Sequence, residues 1–146
     1  MNKGWNASKN YSYILFLGSG DKLLSLPEDM SVFNDEDVIV GDVCVGQDKI
    51  FVSKPGFMLR LRNSLHHQAL LVNKSMYPQT PFDTRFTIYA DFDFNQRLMK
   101  MGANFVHSAS FKSYALPGGV SSRFDLSEWL DVVEKNFGKI WRASIP

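Results

Sequence analysis

Short apolar runs that are separated by turn residues predict strands along the first third of the chain. Residues 13–17 form an apolar run without alternation that stops at Gly18, which is typical of a strand buried on both faces. Residues 37–45 are rich in β-branched side chains and predict a second strand. The turn residues at 46–48 then predict a hairpin into a third strand at 49–52.

The clearest helical period in the sequence lies near position 95. Phe94, Leu98 and Met101 recur at spacings of four and three residues, which places them on one face of a helix. Asp91 has the side chain of a good N-cap, and Gly102 is a suitable residue for the C-terminal end. The pattern therefore predicts a helix that begins near Asp91 and ends at Gly102.

The remaining segments are less regular, but they contain both kinds of element. One short helix is predicted over residues 27–33, and a longer amphipathic helix over residues 125–137. Residues 64–72 are compatible with either a helix or a strand, and two short strands are predicted at 103–107 and 111–115. Because strands and helices intermix along the chain, the predicted fold class is α/β.

Composition limits the function classes. A length of 146 residues with 45% hydrophobic and 21% charged residues predicts one folded domain over residues 1–146. The formal net charge of +1 gives no electrostatic reason to expect a nucleic-acid partner. The single cysteine, Cys44, excludes an internal disulfide and a multi-thiolate zinc site. Without an apolar leader or an 18-residue apolar run, the expected location is the cytoplasm.

Asp21 is the first candidate for site chemistry. It ends the predicted strand at 13–17 within a Gly-Ser-Gly-Asp turn, and ligands of α/β sheets bind at strand ends. A carboxylate in that place can hold a divalent ion or accept a hydrogen bond from a ligand hydroxyl. The structural alternative is a turn aspartate that caps its own backbone, and the sequence leaves both interpretations open.

Asp91 and Asp93, at the start of the predicted helix, are the second candidate. Two carboxylates among aromatic residues can supply a general base with a raised pKa. The structural alternative is a helix cap together with an acidic residue that compensates the helix dipole, with Arg97 pairing to Asp93 across one turn. Both interpretations can hold at once, since a capping aspartate can still face a pocket.

The pair His67 and Gln68 is the third candidate. Adjacent histidines such as His66 and His67 cannot share one helix face, so a zinc site formed by these two alone is not expected. A hydrogen-bonding role toward a polyhydroxylated ligand and a surface or capping role are about equally compatible with the sequence.

Seven short motifs, taken in order, resemble glycosyltransferase family 2, in its branch of bacterial cell-surface polysaccharide enzymes related to colanic acid synthesis. Each motif alone is weak, and the resemblance depends on their order over most of the chain, to about Ser122. The motifs are Asn2-Lys3-Gly4, the segment from Tyr13 to Asp21, Val40-Gly41-Asp42, His67-Gln68, Pro81-Phe82-Asp83, Ala90-Asp91-Phe92-Asp93-Phe94 with Arg97, and Gly118-Gly119-Val120-Ser121.

The resemblance implies an inverting glycosyltransferase of the GT-A fold that uses a nucleotide-diphosphosugar donor and a divalent metal, Mg²⁺ or Mn²⁺. The implied acceptor is a saccharide or a lipid-linked saccharide, with a possible peripheral association at the inner face of the membrane and a possible homo-oligomer. By position, Asp91 matches the general base and Asp21 the metal-binding acidic motif. The implied substrate-binding residues are Asn2, Lys3, His67, Gln68, Asp93, Arg97, Gly118 and Gly119.

Two departures from the family pattern support a second hypothesis. The acidic motif of the family usually has two or more aspartates, whereas here only Asp21 remains. Members of the family also begin with a nucleotide-binding half that precedes the Asn2-Lys3-Gly4 segment, and this sequence starts at that segment. The alternative to an enzyme is therefore a truncated, non-catalytic remnant that acts as a binding module or is inactive.

Overall fold

A computed structural model describes residues 1–118 and 123–139 of the chain. The predicted positions Gly119 and 120–122 lie outside the described residues. The described chain is a mixed α/β structure in which helices flank one mixed sheet. Its helices are α1 (Asn2–Ala7), α2 (Val32–Asp35), α3 (Ala90–Lys100) and α4 (Leu126–Phe137), with short 3-10 turns at Phe57–Arg60, His67–Ala69 and Lys74–Met76.

Six strands form the sheet. They are β1 (Tyr13–Ile14), β2 (Lys22–Ser25), β3 (Val38–Val45), β4 (Lys49–Phe51), β5 (Leu70–Asn73) and β6 (Phe105–Ala115). The order is β1-β5-β3-β6-β2, and β4 pairs with the second half of β3. Only β3 and β6 run parallel, and they form the centre of the sheet. The predicted strand at 37–45 and the hairpin into β4 are therefore confirmed.

The strand prediction for residues 13–17 is largely wrong. Only Tyr13 and Ile14 pair, and they form an edge of the sheet against β5. Ile14 is buried, but Leu17 is exposed, so the run does not continue as a strand between two layers. Phe16 instead packs its ring against Trp5, with centroids 6.3 Å apart. A run of apolar residues can thus reflect helix and loop packing as well as strand burial.

The two strands predicted at 103–107 and 111–115 form one strand with an irregular middle. Val40 pairs with His107 and Asp42 with Lys112, so β6 advances five residues while β3 advances two. The segment 108–111 therefore has three residues more than β3 has opposite it and bulges from the ladder, which explains the sequence break at this place. Gly41 lies opposite the bulge, where a Cβ would come within 2.2 Å of the Phe111 carbonyl oxygen.

Three further segments differ from the sequence predictions. The helix predicted at 27–33 is displaced to α2, because Asp29 instead forms a turn that accepts the Ser31 amide at 2.9 Å. The ambiguous segment 64–72 divides into a 3-10 turn followed by β5. No pattern in the sequence predicted β2, whose leucines are exposed.

The two longer helices were predicted well, apart from one cap. The N-cap of α4 is Asp125, which accepts the Glu128 amide at 3.0 Å, and Gly138 ends that helix. The N-cap of α3 is Tyr89, so the prediction that Asp91 caps this helix is wrong. Glu128 reaches across from α4 instead, and its Oε1 accepts the amides of Ile88 and Tyr89 at 2.7 and 2.8 Å. Asp91 lies in the first turn, where its side chain is 16% exposed.

Two buried clusters pack against the sheet. The larger joins it to α1, α3 and α4, and the smaller lies around Ile39, Val43 and Phe111. Because the larger cluster fixes α3 against the sheet, it also positions the first turn of α3 beside the 3-10 turn at His67–Ala69. In the described part of the chain, no helix is long and apolar enough to cross a membrane.

Candidate functional site

A cavity of about 410 Å³ lies where the first turn of α3 meets the loops that follow β1 and β6. Five of the predicted site residues line it, although they are far apart in the sequence. They are Asp21, His67, Gln68, Asp91 and Gly118. The remaining lining residues are Met1, Gly18, Ser19, Thr87, Ile88, Ala90, Leu116 and Pro117.

The turn before Asp21 fixes the position of its carboxylate. The Asp21 amide donates to the Gly18 carbonyl at 3.2 Å, and Asp21 Oδ2 accepts the Gly18 amide at 2.7 Å. Gly20 has φ +88°, a conformation that glycine adopts without a steric penalty. A side chain at Gly18 would come within 2.8 Å of Asp21 Oδ2. The glycines of this turn therefore allow the backbone to close around the carboxylate, as the turn-aspartate interpretation predicts.

Two further donors complete the surroundings of Asp21. Its Oδ1 accepts the Leu116 amide at 3.0 Å, and its Oδ2 accepts Gln68 Nε2 at 3.0 Å. Burial of the carboxyl raises its pKa, but the hydrogen bonds from Leu116, Gln68 and Gly18 outweigh burial and hold the pKa below its ordinary value. Asp21 is thus an ionised residue that joins the loop after β6 to the 3-10 turn at His67–Ala69.

The donors around Asp21 bear directly on the predicted metal site. Three N–H groups already occupy the two carboxylate oxygens, which offer about four acceptor positions in all. Within residues 1–118 and 123–139, no group of three or more His, Cys, Asp or Glu side chains is placed to hold a metal ion. The described side chains therefore do not fit a metal ion that is held by the protein alone.

Asp91 faces the same cavity from the first turn of α3. Its Oδ2 accepts Asn63 Nδ2 at 3.0 Å and lies 3.4 Å from His67 Nδ1. Its Oδ1 accepts the Phe92 amide at 2.7 Å. Among the described residues no second donor reaches Oδ1, so this atom keeps an acceptor position toward the cavity. The side chain of Asp91 is 16% exposed, which leaves it accessible to a ligand.

Asn63 is a site residue that the sequence analysis missed. Its Oδ1 accepts Nδ2 of the fully buried Asn95 at 3.1 Å while its own Nδ2 donates to Asp91. This chain of amides fixes the orientation of the Asp91 carboxylate from the core outward. Asn63 lies in an irregular loop without a periodic pattern, so no sequence signal could have identified it.

The two histidines beside the cavity have different environments. The rings of His66 and His67 stack with centroids 5.6 Å apart, and His66 also contacts Phe51 edge to face at 5.2 Å. Burial lowers the pKa of His66, and the neighbouring His67 lowers it further. His66 is therefore a neutral packing residue at pH 7, and His67 is the one that lines the cavity.

Gln68 presents an unusual acceptor beside the cavity. Its Nε2 donates to Asp21, and its buried Oε1 has no partner of ordinary hydrogen-bond geometry among the described residues, although the Gln68 side chain also interacts with the His66 ring. A buried acceptor without a donor costs about 1–3 kcal/mol. A ligand that brings a hydroxyl group can supply the missing donor.

The structure does not bring Asp93 and Arg97 to this cavity. Asp93 is fully buried, and its carboxylate accepts Arg97 Nε at 2.9 Å, Lys135 Nζ at 2.7 Å and Asn136 Nδ2 at 3.0 Å. Arg97 also donates to the Tyr77 hydroxyl and to the Pro81 carbonyl. These contacts join α3 to α4 and to the loop that precedes α3. They include the Asp93–Arg97 pair that helical spacing predicted.

The predicted substrate-binding residues at the N-terminus also lie apart from the cavity lining. Asn2 exchanges two hydrogen bonds with the backbone of Phe82, at 2.8 and 3.0 Å, and so fixes α1 to the loop at 81–83. Lys3 is exposed. Gly119 lies outside the described residues, so only Gly118 of that pair can be placed, and it lines the cavity.

Comparison with known proteins adds no family assignment. No family model matches the chain, and a search of curated proteins finds no match. The resemblance to glycosyltransferases therefore stays a prediction that is based on the seven ordered motifs.

Proposed function

We propose that this chain is an inverting glycosyltransferase of the GT-A type in which Asp91 deprotonates the acceptor hydroxyl. The observation that supports the proposal is the meeting of Asp21, His67, Gln68, Asp91 and Gly118 around one cavity. These residues come from four of the seven motifs that resemble the family. They lie in separate helices, strands and loops, so the tertiary fold brings them together. Their convergence is what a shared substrate site requires.

The geometry around Asp91 suits a general base. Asn63 and His67 both contact Oδ2, which fixes the carboxylate, while Oδ1 accepts the Phe92 amide and keeps a further acceptor position for a hydroxyl. A base positioned by two fixed neighbours loses little freedom when the acceptor binds. The acceptor oxygen would transfer its proton to Oδ1 while it attacks the anomeric carbon from the face opposite the leaving nucleoside diphosphate, which gives inversion.

The polar groups around the cavity suit a polyhydroxylated ligand. The Gln68 Oε1 can accept a hydrogen bond from one ligand hydroxyl, and the remaining acceptor position of Asp21 can accept a hydrogen bond from another. The cavity volume of about 410 Å³ lies within the usual range for small-ligand sites. These acceptor groups fit a ligand that carries hydroxyl groups, such as a sugar, better than an apolar ligand.

The first experiment is calorimetric titration of the 146-residue chain with UDP and with GDP, in the presence and absence of Mn²⁺. Release of nucleoside diphosphate from UDP- and GDP-sugars is then followed with a panel of saccharide acceptors. We expect Asp91→Asn to keep nucleotide binding and to reduce release by on the order of 10²–10⁴-fold, as for the loss of a general base. The matched control is Asp83→Asn, since Asp83 is 18% exposed, close to the 16% of Asp91, and does not line the cavity.

The outcomes separate the proposal from its alternative. Full turnover by Asp91→Asn would reject this residue as the base. Nucleotide or saccharide binding without any turnover of the unaltered chain would favour the non-catalytic binding module. That alternative is favoured by one observation: backbone and amide donors already occupy three of the about four acceptor positions of the Asp21 carboxylate. A folded sample that binds neither nucleotide would reject a donor site in this chain.

A further inference from the structure

A second surface, remote in chemistry from the polar cavity, combines exposed apolar side chains with cations. It follows β4 and includes the 3-10 turn at Phe57–Arg60, and it surrounds a groove of about 510 Å³. We call it the basic apolar surface. Its members are Ile50, Val52, Phe57 and Met58 together with Lys49, Lys54 and Arg62.

The apolar members project into solvent to an unusual degree. Ile50 is 66% exposed and Phe57 is 59% exposed, and Val52 and Met58 are exposed as well. Scattered exposed apolar residues need no explanation, but a contiguous group of four around one groove marks an interaction surface. Beneath them Leu59 is fully buried, so the turn that carries Phe57 and Met58 is anchored in the core.

The charge around this groove has one sign. Of the described residues that line it, three are cationic and none is acidic. From Lys49 to Phe82 the sequence contains five Lys and Arg residues and no Asp or Glu, although the chain as a whole has a net charge of only +1. Within the described part of the chain, Lys49, Lys54 and Arg62 form no salt bridge. Their charges are therefore available to an external anion.

We propose that the basic apolar surface docks this protein on an anionic phospholipid bilayer. Ile50, Val52, Phe57 and Met58 enter the interface between headgroups and acyl chains, and Lys49, Lys54 and Arg62 contact lipid phosphates. Amphipathic surfaces bind bilayers through this combination of buried apolar area and attraction to anionic lipids. The proposal concerns a surface outside the polar cavity and does not depend on the proposed transfer reaction.

The charge pattern favours a bilayer over two other occupants. In a symmetric dimer the same patch lies on both copies, so Lys49, Lys54 and Arg62 would be brought close to their own equivalents without an anion between them. Single-stranded nucleic acid requires aromatic platforms for its bases, whereas three of the four apolar members here are aliphatic. An anionic lipid surface satisfies the cations and the aliphatic side chains together.

The test is sedimentation with vesicles of phosphatidylcholine alone and of phosphatidylcholine mixed with phosphatidylglycerol, without nucleotide or sugar. The unaltered chain is expected to bind only the anionic vesicles and to be released as the salt concentration rises. Lys54→Gln combined with Arg62→Gln is expected to lower the partition coefficient by about thirtyfold, since each basic residue near an anionic surface contributes about a fivefold factor. Ile50→Ser combined with Phe57→Ser is expected to lower it at least tenfold.

The matched control replaces exposed apolar residues elsewhere. Leu24→Ser combined with Met30→Ser removes side chains that are 54% and 68% exposed, and it is expected to bind like the unaltered chain. Circular dichroism confirms that each variant is folded. A second measurement uses an environment-sensitive dye attached to Phe57→Cys or to Leu24→Cys, each in a Cys44→Ala background. Anionic vesicles are expected to shift the emission of the dye at position 57 and to leave that of the dye at position 24 unchanged.

Three results would overturn the proposal. Equal binding to neutral and anionic vesicles, or none to either, would remove the electrostatic basis. Loss of binding in the Leu24 and Met30 control with no loss in the surface variants would move the contact elsewhere. The surface would instead be an interface between copies if the unaltered chain does not bind vesicles and forms a dimer in analytical ultracentrifugation. In that case, the Ile50 and Phe57 variant alone would be monomeric. Because no substrate is present, failure here leaves the transferase proposal to its own test.

Discussion

Replacement of Asp93 by asparagine tests whether this residue has a structural role. The Asp93 carboxylate is fully buried between α3 and α4, where it accepts hydrogen bonds from Arg97, Lys135 and Asn136. Asparagine has nearly the same shape, so Asp93→Asn removes the charge without leaving a cavity. The two cations then lose their buried partner, although Lys135 keeps Asp83 at 2.9 Å.

The expected loss follows from the burial of the three charges. Removal of one partner from a buried ion pair typically costs about 3–5 kcal/mol. The side chains of Arg97 and Lys135 are 20% and 30% exposed, so water relieves part of this cost. We expect the free energy of unfolding to fall by about 2–3 kcal/mol. For a chain of this length, that corresponds to a decrease of roughly 5–10 °C in Tm.

The assay is urea unfolding followed by circular dichroism and by tryptophan fluorescence, with Asp83→Asn as the control. Asp83 accepts the same Lys135, but at the surface, where an ion pair contributes less than about 1 kcal/mol. A loss for Asp93→Asn no larger than the loss for Asp83→Asn would refute the structural role. Weakened nucleotide binding with unchanged stability would instead favour the substrate-binding role that the sequence motif predicted.

Two further predictions concern the sheet and the histidine beside the cavity. Gly41→Ala is expected to lower the free energy of unfolding by about 3 kcal/mol or more, because its Cβ would lie 2.2 Å from the Phe111 carbonyl oxygen. The control is Gly4→Ala, whose Cβ would have its nearest contact at 3.9 Å. This variant should be well tolerated in the same urea titration. His66 has a lowered pKa when folded, so the unfolded chain binds more protons and stability should decrease as pH falls below about 6.5. His66→Phe should flatten that dependence between about pH 7.5 and 5.5, measured as the urea midpoint, and an unchanged slope would contradict the assignment.

The sequence alone determined the elements whose signals are local. Helix α4 was predicted over residues 125–137, close to its observed bounds, because the helical period is a signal within a few residues. Strand β3 and its hairpin with β4 were predicted for the same reason, since β-branched runs and turn residues are local features. The motif order also named ten candidate site residues, five of which line the cavity, although spacing alone could not show which of them meet.

Only the tertiary structure decided where non-local contacts place the remaining residues. The N-cap of α3 is Tyr89, whose amide is held by Glu128 39 residues later, and Asp91 lies in the first turn and lines the cavity. Asn63 orients Asp91 from a loop with no pattern, and Asp93 and Arg97 turn inward to α4 although they follow Asp91 by only a few residues. Successive helical positions point about 100° apart, so one residue of a motif can line the cavity while its neighbour is buried in the core. Only packing against the other elements determines which residue lines the cavity and which is buried.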